Sequence, residues 1–351
     1  MGSKRTACDA SDISYMYNNH VHILRLLRFT SALMHKFCVA PMMDRTDRHE
    51  RYFLRTITTE TLLYSEMIHA NAVVHGDTAS LLKYHQNEHP LAIQLGGSDP
   101  SLLSEAAQEA QNYGFKEINL NVGCPSDRVQ KGRFGAILMK EPNLVADCVK
   151  AMIKNTHLPI TVKCRIGVDD MNEDTELDNF INHVKDAGCS TFIVHARKAW
   201  LKGLSPKENR EIPPINYARV YKLKEDFSDL NVVINGEISS IEQSLSHLEY
   251  VDGVMMGREA YDNPYLLKDV DTAIFKKKTK IKSRKEILMN YLPYLESEHK
   301  QGIKLVHATK HLMGLFKGLQ GAKEIRRFLT KIDSIENPIE QYKKLALGFS
   351  E

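Results

Sequence analysis

The chain has no hydrophobic run long enough to span a bilayer. Its longest apolar blocks, such as Thr191–Ala196 and Gly253–Gly257, end after a few residues, whereas a spanning helix needs about 20. No Cys-x-x-Cys pair is present, which argues against a zinc ribbon and a dithiol redox motif. The six cysteines (Cys8, Cys38, Cys124, Cys148, Cys164 and Cys189) are too sparse for a disulfide scaffold. These absences predict a protein of the reducing cytoplasm with no membrane and no metal partner. A strong charge of one sign is also missing. Lys and Arg total 47 against 44 Asp and Glu, for a formal net charge of +3. That balance permits a nucleic-acid partner without requiring one.

What is present is an ordinary globular composition, 42% hydrophobic and 26% charged over 351 residues. The length allows one large domain plus a smaller one. Residues 1–34 stand apart. Arg25 and Arg28 interrupt their apolar stretch, against a signal peptide, and Asp9 and Asp12 speak against an organelle transit peptide. They are expected to be a non-core extension, translated from a start upstream of an initiator at Met34. From Lys36 onward, eight nearly continuous apolar runs alternate with stretches of helical period. The runs are Lys36–Met42, Leu62–Met67, Leu91–Gly96, Glu117–Gly123, Ile160–Gly167, Thr191–Ala196, Asn231–Gly236 and Gly253–Glu259. Such runs suit parallel strands covered on both faces.

Helices are predicted over Pro100–Tyr113, between Asp99 as cap and Gly114 as stop, and over Pro142–Asn155, Thr175–Ala187 and Ser239–Leu248. Eight βα units in this length predict an α/β fold, a (β/α)8 TIM barrel over 35–270. After Tyr261 the strand signals stop. A small all-helical domain is expected to follow in 271–351, entered through the basic run Lys276–Lys285. That run reads either as a solvated linker or as a set of phosphate contacts.

A barrel of this kind carries its active site at the carboxyl ends of its strands. Those ends hold Pro41-Met42-Met43-Asp44, Glu66, Gln94, Asn119 to Pro125, Lys163 with Arg165, His195-Ala196-Arg197, Asn235-Gly236-Glu237 and Gly257-Arg258. Gly236 and Gly257 close the last two runs, the usual place for a phosphate, though glycines also simply permit turns. Lys163 inside an apolar strand is costly unless it meets an anion or reaches water. His195 reads equally as a satisfied core histidine. Cys124 differs from the other thiols. It is held between Gly123 and Pro125 just past a strand, and a largely protonated thiol there suits proton donation.

These motifs resemble the tRNA-dihydrouridine synthases, and within them the A-type bacterial subfamily. The matching stretches are Ala40–Asp47, Gln94–Gly97, Asn119–Ser126, Thr161–Gly167, His195–Arg197, Gly203–Arg210, Asn235-Gly236 and Gly257–Tyr261. The resemblance implies a flavin-bearing barrel followed by a helical RNA-binding domain, with FMN as cofactor and NADPH as reductant. It also implies reduction of the C5–C6 double bond of uridines in the tRNA D loop, at U20 and U20a. Position by position, Pro41, Met42 and Met43 match a shelf beside the flavin ring. Gln94 matches an amide on its pyrimidine edge, Lys163 a cation near N1 and O2, and His195 a further FMN contact. Asn235, Gly236, Glu237, Gly257 and Arg258 match the FMN phosphate site, with Glu237 acting through its backbone because a small residue is common there.

Asn121 matches the residue that reads the target uracil and Cys124 the general acid. Lys207, Arg210, Lys323 and Arg326 match tRNA contacts. tRNA is thus the expected partner, and a monomer the expected working form. Two rival readings remain, one of them also redox and one from a different class. One is a small-molecule flavin oxidoreductase of the dihydroorotate or dihydropyrimidine type. The other is a non-redox barrel, an isomerase or lyase whose glycine ends hold a substrate phosphate.

Overall fold

The computed structural model describes residues 33–349. The expected extension over 1–34 lies outside the described residues except for its last two positions. Eight parallel strands close into a barrel in the order β1 to β8. They are β1 Phe37–Val39, β2 Leu62–His69, β3 Leu91–Gly96, β4 Glu117–Val122, β5 Ile160–Arg165, β6 Thr191–His195, β7 Asn231–Asn235 and β8 Gly253–Met256. All eight runs are strands. β1 is shorter than its run because Pro41 has no N–H for the ladder and Asp44 turns with φ 62°. β2 is longer and carries an irregularity between Tyr64 and Met67 against β3.

The helices lie where the sequence signals put them. Asp99 Oδ1 accepts from the N–H groups of Ser101 and Leu102 at 2.8 and 3.0 Å, and helix Pro100–Tyr113 stops at Gly114, whose φ is 93°. Pro142–Asn155 begins with proline, which lacks the N–H that a first turn leaves unused. Helix Thr175–Asp186 ends one residue before Ala187. Ile241–His247 starts two residues later than expected because Ser240, not Ser239, is the cap.

Beyond β8 every described element is helical, including Arg284–Lys300, Ala322–Thr330 and Pro338–Gly348. This region is joined to the barrel through side chains of Arg48–Ile57, the helix after β1. Tyr52 stacks on Tyr294 with centroids 4.1 Å apart, Tyr294 bonds His49 Nδ1 at 2.8 Å, and Arg48 pairs with Glu298. One continuous apolar core runs from the outer faces of the strands to Tyr342. Inside the barrel a separate small cluster, including Cys38, Tyr64, Ala92, Ile193, Val233 and Met255, fills one side.

Candidate active site

The other side of the barrel interior is polar, and strand period explains why. Alternate residues of a strand share a face. Glu117, Asn119 and Asn121 of β4 therefore point the same way, as do Thr161, Lys163 and Arg165 of β5. Asn119 sits in register with Gln94 on one side and Thr161 on the other. Buried polar groups are tolerated only when hydrogen bonded, and these are. Gln94 Nε2 donates to Asn119 Oδ1, and Asn121 Nδ2 to Gln94 Oε1, each at 2.8 Å. Lys163 Nζ donates to Asn235 Oδ1 at 3.0 Å, while Asn235 Nδ2 is held by the Met255 carbonyl. Burial, with Arg165 nearby, pushes the Lys163 ammonium down to about 8.

Past β4 the chain turns through Gly123, Cys124 and Pro125. Asn121 Oδ1 accepts from the N–H groups of Gly123 and Cys124 at 3.2 and 3.1 Å. Arg165 Nε holds the Gly123 carbonyl at 3.0 Å, and Ala136 N–H holds that of Cys124 at 2.9 Å. Gly135 makes this closure possible. Its φ is 76°, and a Cβ there would lie 2.5 Å from the Cys124 carbonyl oxygen. The thiol is thereby fixed, half-buried, 3.6 Å from Ser126 Oγ. The other described cysteines are buried, and burial raises the thiols of Cys148, Cys164 and Cys189 to about 12.

At the ends of β5 to β8 the rim is cationic. His195 is neutral there, driven well below its ordinary value first by burial and then by Arg165, Lys163, Arg197 and Arg210. Gly236 has φ 126°, and a Cβ on it would meet Ile215 at 2.8 Å and the His195 ring at 2.9 Å. Glu237, with φ 51°, turns its side chain to Arg197 at 2.5 Å. Gly257 faces open space, with nothing within 4 Å of where a Cβ would stand. Arg258 pairs with Glu211 at 2.8 Å. The buried Nε atoms of Arg197 and Arg210 have no hydrogen-bond partner among the described residues. Orphaned guanidinium nitrogens and an open glycine on the same cationic rim are groups that suit an anion. They fit a phosphorylated cofactor with a planar polar edge toward Gln94 and Lys163.

The family model described as Dihydrouridine synthase (Dus) matches residues 38–347. The chain belongs to the dihydrouridine synthase family. It is 53% identical over 297 residues to a protein of Vibrio parahaemolyticus, covering 84% of this chain and 91% of the relative. It is 54% identical over 302 residues to one of Synechocystis sp., covering 86% and 90%. Both relatives are named tRNA-dihydrouridine(20/20a) synthase. A 2-naphthoyl-CoA reductase solved with 2-naphthoyl-CoA shares the fold, with a TM-score of 0.51 at 12% identity. That match covers 67% of this chain and 49% of the reductase, so the chain spans about half of that structure.

Within this dihydrouridine synthase fold the remaining sequence candidates divide. Pro41 and Met42 are half-buried and Met43 is exposed at the mouth beside β1. Lys207 is exposed and Arg210 half-buried in the long loop after β6. Lys323 and Arg326 lie on Ala322–Thr330, which packs on Lys310–Phe316, itself packed on Arg258–Asp262 after β8. Arg326 Nε is tied to the Met313 carbonyl at 3.1 Å. The basic run is elsewhere. Lys277 reaches Glu60, and Lys282 donates to the Thr56 carbonyl, both just before β2 and hence at the barrel end opposite the mouth.

Sequence reasoning missed Ser65 and placed Glu66 among the strand ends without giving it a role. At the β2 irregularity Ser65 Oγ accepts the Gln94 N–H at 3.0 Å, and Glu66 accepts from the Asp44 N–H at 2.5 Å. A bulge beside a site re-aims side chains in this way but leaves no mark in composition. Glu117, Thr161 and Arg197 also escaped as site residues. For Glu117 and Thr161 the signal was available as polar residues spaced by two inside an apolar strand, whereas Arg197 was named only as a strand end.

Proposed function

We propose that this chain reduces the C5–C6 bond of uridine to dihydrouridine at positions 20 and 20a of the tRNA D loop, in the cytoplasm, using FMN and NADPH. Family membership carries the reaction class, and the cationic, glycine-lined mouth carries the cofactor. Residues 35–270 form the FMN-binding barrel, and 271–351 supply the linker and the helical tRNA-binding region.

FMN bound at the mouth supplies the chemistry of hydride transfer from NADPH to C6 of the uracil. The residues of the chain do the rest. Asn235, Gly236, Glu237, Gly257 and Arg258 hold the phosphate, joined by the unpartnered Nε atom of Arg197. Pro41, Met42 and Met43 form the shelf under the ring, and His195 adds a neutral contact. Gln94 binds the pyrimidine edge. Lys163 places positive charge where the reduced cofactor is negative, a preorganised electrostatic contribution. Asn121 reads the uracil, which must leave its stack at a cost of a few kcal/mol. Cys124 donates its thiol proton to C5 and is reprotonated from solvent. C5 and C6 thus gain one hydrogen each, and the two electrons come from NADPH. Lys207, Arg210, Lys323 and Arg326 contact the tRNA backbone.

The test is a nucleoside mass measurement on unmodified tRNA incubated with the purified, NADPH-supplied enzyme, with free uracil alongside. Dihydrouridine at 20 and 20a, with uracil untouched, is the expected result. A colourless protein, or one that reduces uracil and not tRNA, would overturn the proposal.

A further inference from the structure

A hydrogen-bonded chain lines the inner wall of the barrel, and both of its ends dictate the same direction. At the floor lies Glu117, fully buried and 2.7 Å from His35 Nε2. Burial alone would raise its carboxyl, but His35 and the hydroxyls of Tyr64 and Thr161 together hold it below the ordinary glutamate range. Glu117 is therefore ionised and can only accept. Thr161 must donate its hydroxyl proton to Glu117 Oε1, at 2.7 Å. Its lone pair is left for Asn119 Nδ2 at 2.8 Å. Asn119 Oδ1 then faces Gln94 Nε2, and Gln94 Oε1 faces Asn121 Nδ2. Asn121 Oδ1 remains for the backbone N–H groups of Gly123 and Cys124, which can only donate.

We propose that Glu117 and Thr161 are positioning residues for the reaction. Through this one-way chain they fix which edge of the Gln94 and Asn121 amides faces a ligand, and they hold the loop that presents the Cys124 thiol. The inference rests on the reading of Cys124 as proton donor and adds to it a control point at the barrel floor. Each link matters because reversing one amide would put an acceptor where a donor stands, and the neighbouring buried group would lose its partner. Polarised chains of this kind also strengthen their members.

The experiment uses the holoenzyme as purified, comparing wild type with Thr161→Val, Thr161→Ser and Glu117→Gln. Two quantities are read. One is the reoxidation rate of NADPH-reduced enzyme by unmodified tRNA. The other is the alkylation rate of Cys124 by iodoacetamide, followed on its own peptide. Thr161→Val is expected to slow reoxidation about ten-fold and to speed Cys124 alkylation about five-fold. Thr161→Ser, which keeps the hydroxyl, is expected to restore both. Should Thr161→Val not fold, Glu117→Gln, which removes the charge and keeps the shape, is expected to move both rates the same way. Wild-type rates in the variants, or a Ser variant as impaired as the Val variant, would overturn the inference. If reduced wild-type enzyme is not reoxidised by tRNA, the proposed function falls instead, and the alkylation rates still decide the role of the chain.

Discussion

At the scale of single residues, the proposed chemistry rests on one thiol and one ammonium. Among the described cysteines Cys124 is half-buried and the others buried, and its loop is held by Asn121 Oδ1, Arg165 Nε and the Ala136 N–H. Cys124→Ala removes the proton and little else. Turnover is expected to fall by about 10²–10⁴, the usual worth of a placed general acid, with the flavin-to-protein absorbance ratio unchanged. Burial, with Arg165 nearby, brings the Lys163 ammonium down to about 8, so its charge is present below that pH and lost as pH rises through it. FMN affinity, measured by fluorescence titration, is expected to weaken above about pH 8 in the wild type. Lys163→Met is expected to be weaker throughout and to lose that pH dependence. A flat wild-type profile would remove the ammonium from the cofactor site. Each stood out in the sequence for its own reason: Lys163 as a charge inside an apolar strand, Cys124 as a thiol held between Gly123 and Pro125 just past one. Arg197 was less legible, because its partners, Glu237 and the Glu211 carbonyl, come from two distant loops.

At the scale of elements, the sequence was most informative where a local rule decides. Helix Pro100–Tyr113 has its cap, its first-turn proline and its stopping glycine within reach of one another, so its bounds could be read directly. The β2 irregularity depends on how Ser65 meets β3, a contact that no local pattern encodes. Gly236 joins the two cases. A glycine after a strand is an ordinary turn signal, but here the φ of 126° and the closeness of Ile215 and His195 make it obligatory. Gly236→Ala is expected to cost about 1–3 kcal/mol of backbone strain and to displace the His195 ring. The melting temperature should drop, and the enzyme should purify with less flavin. An alanine variant with full flavin content would mean that the β7 turn does not shape the cofactor site.

At the scale of the whole molecule, the helical region is bound to the barrel by a mixed latch as well as by shared apolar core. Asp47 caps Arg48–Ile57 through the His49 and Glu50 N–H groups, and the same carboxylate meets His311 at 2.9 Å and Lys310 at 3.2 Å. Burial would raise its carboxyl, but these partners hold it well below the usual aspartate range. The sign follows. A depressed carboxylate contributes stability above its unfolded value near 4, and that contribution fades as pH falls toward the folded value. Asp47→Ala is expected to cost about 2 kcal/mol at neutral pH, from a lost cap and a lost charged hydrogen bond. The loss should shrink in strong acid, as denaturant melts at pH 7 and pH 3 would show.

The placement of charge at this same scale decides how tRNA is met. Composition left two uses open for Lys276–Lys285, and contacts choose between them. Lys276 bonds the Ala273 carbonyl, Lys280 pairs with Glu286, and Lys277 and Lys282 tie to the segment before β2. Asp271, just ahead of the run, accepts from Thr58, Thr59 and Glu60 at that same end of the barrel. The run therefore straps the far end, and on the proposed function the cations that would face an RNA at the mouth include Lys207 and Arg210. Each phosphate contact contributes somewhat less than one unit to the slope of log affinity against log salt. Lys207→Ala and Arg210→Ala are each expected to flatten that slope by about one unit. Replacing Lys276, Lys278 and Lys280 together with serine is expected to leave it unchanged. A slope that responds to the strap and not to the β6 loop would place the RNA on the wrong end of the barrel for Cys124 to reach its uridine.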